Sequence, residues 1–463
     1  MTYTELLINN IVRSKKEAIS QEVIEHTKML ILDTLGCAIG GCCTNVGGCI
    51  IDQAKDFRGG AEASLFGVDH KISLPMACWA NSTLANLLDM DDVYGGSAHQ
   101  ANCLVPTAIG VGETIHATGL EAIHAIIVGF EVGCRVMMYS MPSILKTRTY
   151  YPSTWQIFDA VTVAGKLLAL SPNQLYDAFG LAGKVAPLPI NLQKSEEHHN
   201  GFPKGPFGWS TFSGVFWTLM AQKGIHTGVA NIFDGEAGFW STMGSDQFNF
   251  EELTREIDEP YSILDTKFKP YPLCTWGHSS VDAVKKIVGQ NDIDHHDIET
   301  IRIKTIKRAK DLLSRDKIES IFNAQFSLPY AVSMTVLGIP SGFEWMSEEN
   351  LFHNQEVESI MKKVFVEVDP IAESIFAEEK GLAIPSAVEI KTHDGRLFKE
   401  TEKYSKGTPK NPFTIAELKA KFKLLASSRF SNQRIENMIE LVSSMETLKD
   451  ISILTKLLRN EKI

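Results

Sequence analysis

Three aspartates and a histidine lie close together in the segment 89–99. The aspartates are Asp89, Asp91 and Asp92; they follow a stretch whose leucines recur at helical spacing, and His99 comes after a glycine pair. This pattern predicts that the carboxylates occupy the last turn of a helix, where the negative end of the helix dipole disfavours anions. A clustered carboxylate with a raised pKa could accept or donate a proton, with His99 as its partner. The alternative is a solvated helix end followed by a charged loop.

Helical geometry would separate the roles of these residues. Asp89 and Asp92 stand three residues apart and would share one helix face, whereas Asp91 would point elsewhere. His99 could bind a substrate carboxylate as imidazolium or act as a base. The alternative for His99 is a loop histidine whose hydrogen bonds are satisfied by backbone groups.

The composition is that of a globular protein with two domains. The chain has 463 residues, of which 44% are hydrophobic and 22% charged, and this length exceeds that at which one hydrophobic core usually stops growing. The net charge of −11 argues against a nucleic-acid surface, although a buried site for a small anion could be locally basic. The chain has no long uncharged apolar stretch and no basic N-terminal region typical of a signal peptide. We therefore expect a cytoplasmic protein without nucleic-acid or membrane partners.

The eight cysteines predict buried free thiols and not a metal centre. None belongs to a C-x-x-C pair, and Cys42, Cys43 and Cys49 lack the regular spacing of metal ligands. Adjacent histidines such as His198 and His199 seldom ligate one ion together, so solvation in a loop is the expected interpretation. No metal and no cofactor are predicted.

The N-terminal half of the chain has the pattern of helices. Thr118 and Glu121 have the spacing of a capping box before an apolar helix, and Ser171 and Gln174 repeat it. The segment 186–209 interrupts the pattern with prolines and charged residues, which is typical of a functional or mobile loop.

Strand patterns begin beyond residue 267. The segment 300–306 starts with the alternation of a strand, and 387–398 predicts two strands joined by a turn. Residues 323–337 and 351–364 predict helices.

Together these patterns predict a mainly α fold with two domains. The large all-helical domain comprises residues 1–266 and 411–463, with helices predicted at 414–425 and 433–445. The inserted domain, residues 267–410, is smaller and α+β.

An ordered set of motifs resembles the MmgE/PrpD family. Each motif is weak by itself, but the set runs in order over nearly the whole chain. The motifs are Leu32-Asp33-Thr34-Leu35-Gly36, the segment 80–99, Gly129-Phe130-Glu131-Val132, Lys269-Pro270-Tyr271-Pro272, and the segments 325–330, 407–414 and 417–422.

The resemblance implies a metal-independent enzyme with its site between a helical domain and a lid, usually as a homodimer. The family contains 2-methylcitrate dehydratase, cis-aconitate decarboxylase and iminodisuccinate epimerase, which share proton movement at a carbon beside a carboxylate or imine. The implied substrate is a small di- or tricarboxylate. Asp89, Asp92 and His99 lie where the family keeps its acidic site motif.

Two further candidates depart from the family pattern. Lys204 stands near the family's substrate-binding lysine but is one residue too close to the following glycine, so Lys194 is an alternative, as is a solvated loop lysine. Tyr151-Pro152 occupies the position where many members carry His-Pro, and a phenol is a poorer base than imidazole at neutral pH. This departure puts decarboxylase or standard dehydratase activity in doubt and suggests a different substrate or proton route.

The start of the lid supplies the remaining candidates. Lys269 and Tyr271 are candidate substrate-binding residues, and Cys274 could be a pocket wall or a proton carrier. His278 would contact substrate or cap a helix. Tyr330 could reach the site from the lid or pack in the core.

The leading reaction is β-elimination or hydration, in which a base in the segment 89–99 removes a proton α to a carboxylate. Lys204, Tyr151 or His278 would stabilise the enolate-like charge and assist departure of hydroxide. Isomerisation or epimerisation is the second alternative, and decarboxylation is the third. A non-catalytic carboxylate-binding protein is the rival from another class.

Overall fold

The computed structural model describes residues 1–57, 59–95, 98–141, 154–186, 205–228, 231–242, 245–257 and 260–460. Helices dominate this part of the chain, which confirms the predicted mainly α fold. The α-helices are α1 (Tyr3–Arg13), α2 (Gln21–Gly41), α3 (Asn45–Asp56), α4 (Leu74–Leu87), α5 (Ala101–Ile115), α6 (Gly119–Tyr139), α7 (Gln156–Leu167), α8 (Pro172–Lys184), α9 (Phe207–Gln222), α10 (Phe239–Thr242), α11 (Phe250–Thr254), α12 (His278–Gln290), α13 (Lys307–Leu313), α14 (Ile321–Ala324), α15 (Leu328–Val336), α16 (Gln355–Met361), α17 (Pro370–Glu378), α18 (Ile415–Ala426), α19 (Asn432–Ser443) and α20 (Ser452–Leu458).

Two predicted capping boxes fix the starts of α6 and α8. The Thr118 side chain accepts a hydrogen bond from the Glu121 backbone N–H, and the Glu121 carboxylate accepts one from the Thr118 backbone. Ser171 and Gln174 form the same box at α8. Each box satisfies N–H groups that lack partners in the first helical turn, so these polar side chains determine where the helices begin.

Four strands form a mixed sheet in the order β4-β3-β5-β6. β3 pairs in parallel with β4 and antiparallel with β5, and β5 pairs antiparallel with β6. The predicted strand at 300–306 and the predicted hairpin at 387–398 correspond to β3 and to the β5–β6 pair. The strands are β3 (Ile298–Thr305), β4 (Val364–Val368), β5 (Ser386–Thr392) and β6 (Leu397–Glu402).

The helix predicted over 351–364 is wrong at its C-terminal end. α16 ends at Met361, and β4 begins at Val364 with its pairing to Ile301 of β3. Parallel pairing with a buried strand therefore overrides the local helical pattern. A short hairpin of β1 (Ala63–Ser64) and β2 (Lys71–Ile72) also lies in the part predicted as all-helical.

The C-terminal helix α18 packs back onto the N-terminal helix α2. Phe422 and Leu425 of α18 lie against Gly36 and Gly40 of α2. α2 also packs against α4, which leads into the candidate site. Segments from both ends of the chain therefore share one hydrophobic core beside the segment 80–99.

Within the described residues, α6 is long and apolar enough to cross a membrane by itself, and the bent pair of α2 and α3 passes the same test if taken as one span. The apolar window of α6 is 94% buried inside the protein. Glu131 and Arg135 on α6 form an ion pair of 2.8 Å that is shielded from solvent. Such burial is typical of a core helix.

Candidate functional site

The helix before the candidate site ends earlier than predicted. α4 ends at Leu87, Leu88 is its C-cap, and Asp89 adopts a left-handed φ of 53°. Aspartate tolerates this conformation better than most residues, so the helix stops before the glycine pair. The prediction that the aspartates occupy the last helical turn, with Asp89 and Asp92 on one helix face, is therefore wrong. They belong to a turn that folds back toward His99.

All three carboxylates of this turn are buried. Asp89 is 1% exposed, and Asp91 and Asp92 are fully buried. The alternative interpretation of a solvated helix end is therefore wrong. Because an unpaired charge in the interior is very unfavourable, the partners of these carboxylates decide what they can do.

Lys269 is the cationic partner of Asp89. The Lys269 Nζ lies 2.5 Å from the Asp89 Oδ1, and the two side chains are only 2% and 1% exposed. Val93 and Lys267 form a backbone pair with two N–H···O bonds of 2.9 Å, which brings the two segments side by side. Lys269, predicted to bind substrate, thus places an ammonium group next to the aspartates.

His99 faces the same aspartates. Its Nδ1 lies 3.4 Å from the Asp91 Oδ1, and its Nε2 lies 4.0 Å from the Asp89 Oδ1. The Tyr94–Ala98 backbone pair closes the loop that returns His99 to the turn. The imidazole therefore lies against two carboxylates, at distances of 3.4 and 4.0 Å, which places a possible acid or base beside them.

Asp91 and Asp92 have different surroundings. Asp91 accepts hydrogen bonds from the side-chain amides of Asn86, at 3.0 Å to each oxygen, and Asn102, at 2.9 Å. Asp92 accepts the backbone N–H groups of Gln100 and Ala101 at 3.1 and 3.0 Å, where α5 begins. Asp91 is thus oriented beside His99, whereas Asp92 anchors the loop that carries His99.

Burial has the largest effect on the pKa of the Asp92 carboxyl. It raises the pKa of the Asp92 carboxyl well above its usual range, and the neighbouring charge of Asp91 raises it further. The two backbone N–H groups act in the opposite direction because they favour the ionised form.

His278 lies at the start of α12, also close to the charged pair. Its Nε2–H donates a 2.8 Å hydrogen bond to the Leu273 carbonyl. Burial lowers the pKa of His278 to about 3, and the positive charge of Lys269 acts in the same direction. His278 is therefore a neutral imidazole at physiological pH and could act as a hydrogen-bonding group.

The phenols predicted to bind substrate have other partners. The Tyr271 hydroxyl donates a 2.7 Å hydrogen bond to Asp282, and the Tyr330 hydroxyl donates one of 2.5 Å to the Trp345 carbonyl. Both side chains are buried, so the packing alternative describes Tyr330. Cys274 is half-buried, and its backbone N–H donates to the Gln325 carbonyl at 2.8 Å.

Tyr151, Lys204 and the alternative Lys194 lie outside the described residues, as do His198 and His199. Their predicted roles stay predictions.

Two residues of the site region were not identified as functional candidates from the sequence. Asp33 on α2 and Lys421 on α18 form a buried ion pair of 2.6 Å, and Lys421 also donates a 2.7 Å hydrogen bond to the Met90 carbonyl. Asp33 belongs to one of the quoted motifs, but no local spacing links it to Lys421. Only the packing of α18 on α2 brings them together.

Lys421 and Tyr271 line a cavity of about 640 Å³. Asp282, Lys406 and Phe413 also line it, whereas Asp89 and His99 do not. It is therefore separate from the carboxylate–imidazole cluster.

The fold and the cluster together define a mainly helical protein with a buried carboxylate, imidazole and ammonium site. The MmgE/PrpD N-terminal domain matches residues 6–251, and the MmgE/PrpD C-terminal domain matches residues 271–447. The chain belongs to the MmgE/PrpD family, which confirms the resemblance found in the sequence.

Several relatives extend over nearly the whole chain. Cis-aconitate decarboxylase from Mus musculus is 24% identical over 477 residues, covering 97% of this chain and 92% of the relative. The enzyme of that name from Homo sapiens is 23% identical over 464 residues, covering 95% and 91%. The one from Aspergillus terreus (strain NIH 2624 / FGSC A1156) is 23% identical over 462 residues, covering 95% and 92%. These relatives support an enzyme of a lyase-type family.

Proposed function

We propose that the protein is a lyase that acts on a small di- or tricarboxylate by proton transfer at a carbon beside a carboxylate. The observation that carries the proposal is the position of His99, 3.4 Å from Asp91 and 4.0 Å from Asp89, with Lys269 paired to Asp89. A base, an orienting carboxylate and a cation are the groups that such chemistry needs.

In the leading reaction, His99 removes the proton α to a substrate carboxylate. Asp91, held by Asn86 and Asn102, stabilises the imidazolium that forms. The electron pair of the broken C–H bond becomes the new double bond, and the β-hydroxyl leaves as water by taking the proton that the His99 imidazolium now carries. Lys269 stabilises the negative charge that develops on the carboxylate oxygens.

We propose that the reaction needs no metal. Asp89, Asp91 and His99 each offer a ligand atom within 4.8 Å of one another, a spacing that could hold an ion. The ammonium of Lys269 already supplies positive charge at Asp89 and would repel a second cation. Treatment with a chelator should therefore leave turnover unchanged, and restoration of lost activity by a divalent ion would contradict this point.

Deuterium exchange tests the central claim. The purified protein is incubated in deuterated water with candidate acids, including 2-methylcitrate and cis-aconitate, and followed by NMR. The expected result is loss of water from a hydroxy acid, or addition of water to an unsaturated acid with deuterium at the α carbon. Deuterium exchange without net product would indicate an isomerase or epimerase, and the absence of exchange and product with all acids would favour a non-catalytic carboxylate-binding protein.

Decarboxylation is the second candidate because the relatives are named cis-aconitate decarboxylases. Here a protonated His99 would deliver a proton to carbon as the carbon–carboxylate bond breaks and its electron pair stays with the product. Release of carbon dioxide from cis-aconitate would assign this reaction. The tyrosine at position 151, where many family members carry histidine, is the sequence feature that argues against it.

We also propose a homodimer, as the family resemblance implies. Trp209 and Phe216 of α9 are 53% and 37% exposed, and Phe212 stacks on both. Exposed aromatic rows are typical of subunit interfaces. Light scattering should give about twice the chain mass of 51.3 kDa, and a monomer at micromolar concentration would contradict the proposal.

A further inference from the structure

A buried ion pair contacts the turn that carries the aspartates. Lys421 is 8% exposed and Asp33 is 2% exposed, and their charged groups lie 2.6 Å apart. Lys421 divides its donors between the Asp33 carboxylate and the Met90 carbonyl, which is 2.7 Å away. One ammonium group therefore connects α2, α18 and the turn.

Met90 is the residue of this turn that Lys421 contacts. It lies between Asp89, which pairs with Lys269, and Asp91, which faces His99. Its carbonyl belongs to the peptide between Met90 and Asp91, and Met90 follows the left-handed Asp89 beyond the end of α4. The bond from Lys421 fixes the orientation of the peptide between Met90 and Asp91, one residue beyond Asp89.

A second contact holds the beginning of the same turn. The side-chain amide of Gln325 donates a 2.7 Å hydrogen bond to the Leu87 carbonyl, the last residue of α4. Gln325 is fully buried. Gln325 thus holds the end of α4, and Lys421 holds the Met90 carbonyl three residues further along the chain.

The free-energy cost of burying the Asp33–Lys421 pair indicates a role other than stabilising the fold. Two buried charges lose their hydration, and well-packed apolar residues in their place are often as stable or more stable. Removal of Asp33 alone would leave the Lys421 charge unpaired, whereas removal of Lys421 alone would leave the Asp33 charge unpaired and the Met90 carbonyl without this donor. Burial raises the pKa of Asp33 to about 6, whereas the charge of Lys421 opposes that rise.

We propose that Lys421 and Asp33 are positioning residues for the proton-transfer site. Lys421 holds the Met90 carbonyl so that Asp89 and Asp91 face Lys269 and His99, and Asp33 orients and balances the ammonium group. The inference rests on the proposed function for its catalytic consequence, but the geometric claim can be tested without turnover.

The test uses the double variant Asp33→Asn/Lys421→Met in the full-length protein. This variant removes both charges and leaves neither partner as an unpaired ion. We expect it to fold, to lower kcat at least tenfold with KM changed less than threefold, and to shift the NMR titration of the His99 imidazole. Lys421→Arg, which keeps the charge and donors, should recover part of the lost kcat.

Lys423→Met is the matched control because Lys423 lies on the same helix in an exposed ion pair with Glu436. It should change neither kcat nor the His99 titration. A folded double variant with wild-type kcat and wild-type His99 titration would overturn the proposal. Should the double variant not fold, the isosteric Asp33→Asn decides: a kcat at least fivefold lower at pH 7.5 supports the proposal, and an unchanged kcat overturns it.

The two proposals can fail separately. If the wild-type protein exchanges no proton with any candidate acid, the proposed function fails. The shift of the His99 titration in the double variant still shows whether Lys421 positions the turn.

Discussion

His99 is the residue on which the proposed chemistry depends most. Its side chain is 10% exposed and lies between two aspartates, and its carbonyl accepts a hydrogen bond from Gln156. A positioned general acid or base typically contributes about 10²–10⁴-fold to rate. We therefore expect His99→Gln to lower kcat by about that factor, measured on the substrate identified by deuterium exchange.

His393→Gln provides the control for the same substitution. His393 is exposed in the turn between β5 and β6, where its backbone N–H donates to the Asp297 carbonyl. It should keep wild-type kcat. Near-normal turnover in a folded His99→Gln variant would remove His99 from the proton-transfer role.

The Asp89–Lys269 pair allows a charge-balance experiment. Breaking a buried ion pair by removing one partner costs about 3–5 kcal/mol, because the other charge stays buried and unpaired. We expect Lys269→Met to lower the free energy of unfolding by about this amount. The double variant Asp89→Asn/Lys269→Met should recover much of that loss and remain inactive.

Denaturant unfolding measures both changes. Lys307→Met is the matched control, since Lys307 pairs with Asp311 in an exposed ion pair on α13. Such pairs contribute about 0–1 kcal/mol. If Lys269→Met and Lys307→Met lower the free energy of unfolding equally, breaking the buried pair costs no more than breaking an exposed one.

At the level of elements, the strand-like segment that carries Lys269 depends on a neighbouring glycine. Gly407 has a φ of +89°, and its N–H and C=O groups bond to Asn411 and Phe268. A Cβ at Gly407 would lie 1.8 Å from the Phe268 carbonyl oxygen. Gly407→Ala should therefore displace Lys269 from Asp89 and lower both stability and kcat, the latter at least tenfold.

The Gly395→Ala variant is a control that introduces similar backbone strain without the steric clash. Gly395 has nearly the same φ, +88°, but its added Cβ would meet nothing within 4 Å. Gly395→Ala should lose only the roughly 1–2 kcal/mol of a left-handed non-glycine residue and keep wild-type kcat. If the two alanine variants lose equal activity, the position of the 267–269 segment does not control the site.

The elements that sequence predicted well are those with local signals. Thr118 and Ser171 fix helix starts through contacts three residues away, and spacing alone reveals such contacts. The end of α4 was not predictable in this way, because Asp89 takes a left-handed conformation and pairs with Lys269, which is distant in the sequence. β4 was missed for a related reason, since its strand state comes from pairing with β3.

At the scale of the whole molecule, the site is assembled from remote segments. Sequence patterns identified Asp89, His99 and Lys269 individually, but the spacing rules describe neighbours within a turn or a strand. The ion pair between Asp33 and Lys421 requires α18 to pack on α2. Its role in holding the turn could only emerge from the folded chain.

Asp33 also predicts how global stability depends on pH. Its pKa is raised from an ordinary value near 3.8 to about 6, so the folded protein keeps this proton over a range where the unfolded chain has lost it. Because the folded state binds more protons there, the contribution of Asp33 to the free energy of unfolding falls as pH rises from about 4 to 6. A shift of about two units corresponds to about 3 kcal/mol.

Buried histidines act in the opposite direction. Burial lowers the pKa of His26 to about 4 and those of His124 and His278 to about 3. The unfolded chain binds these protons below about pH 6.5 while the fold does not, so the histidines reduce stability as pH falls toward 4. The raw pH profile of the wild type therefore mixes both effects.

The difference between wild type and Asp33→Asn removes the histidine contribution, which both proteins share. Measured by denaturant unfolding at several pH values, the stability of wild type relative to Asp33→Asn should fall by up to about 3 kcal/mol between pH 4 and 6 and stay level above pH 6. The exposed substitution Asp52→Asn on α3 should parallel wild type throughout. If the difference in free energy of unfolding does not change between pH 4 and 6, the pKa of Asp33 is not raised by folding. Lys421 would then keep the Asp33 carboxylate ionised in the folded protein over this range.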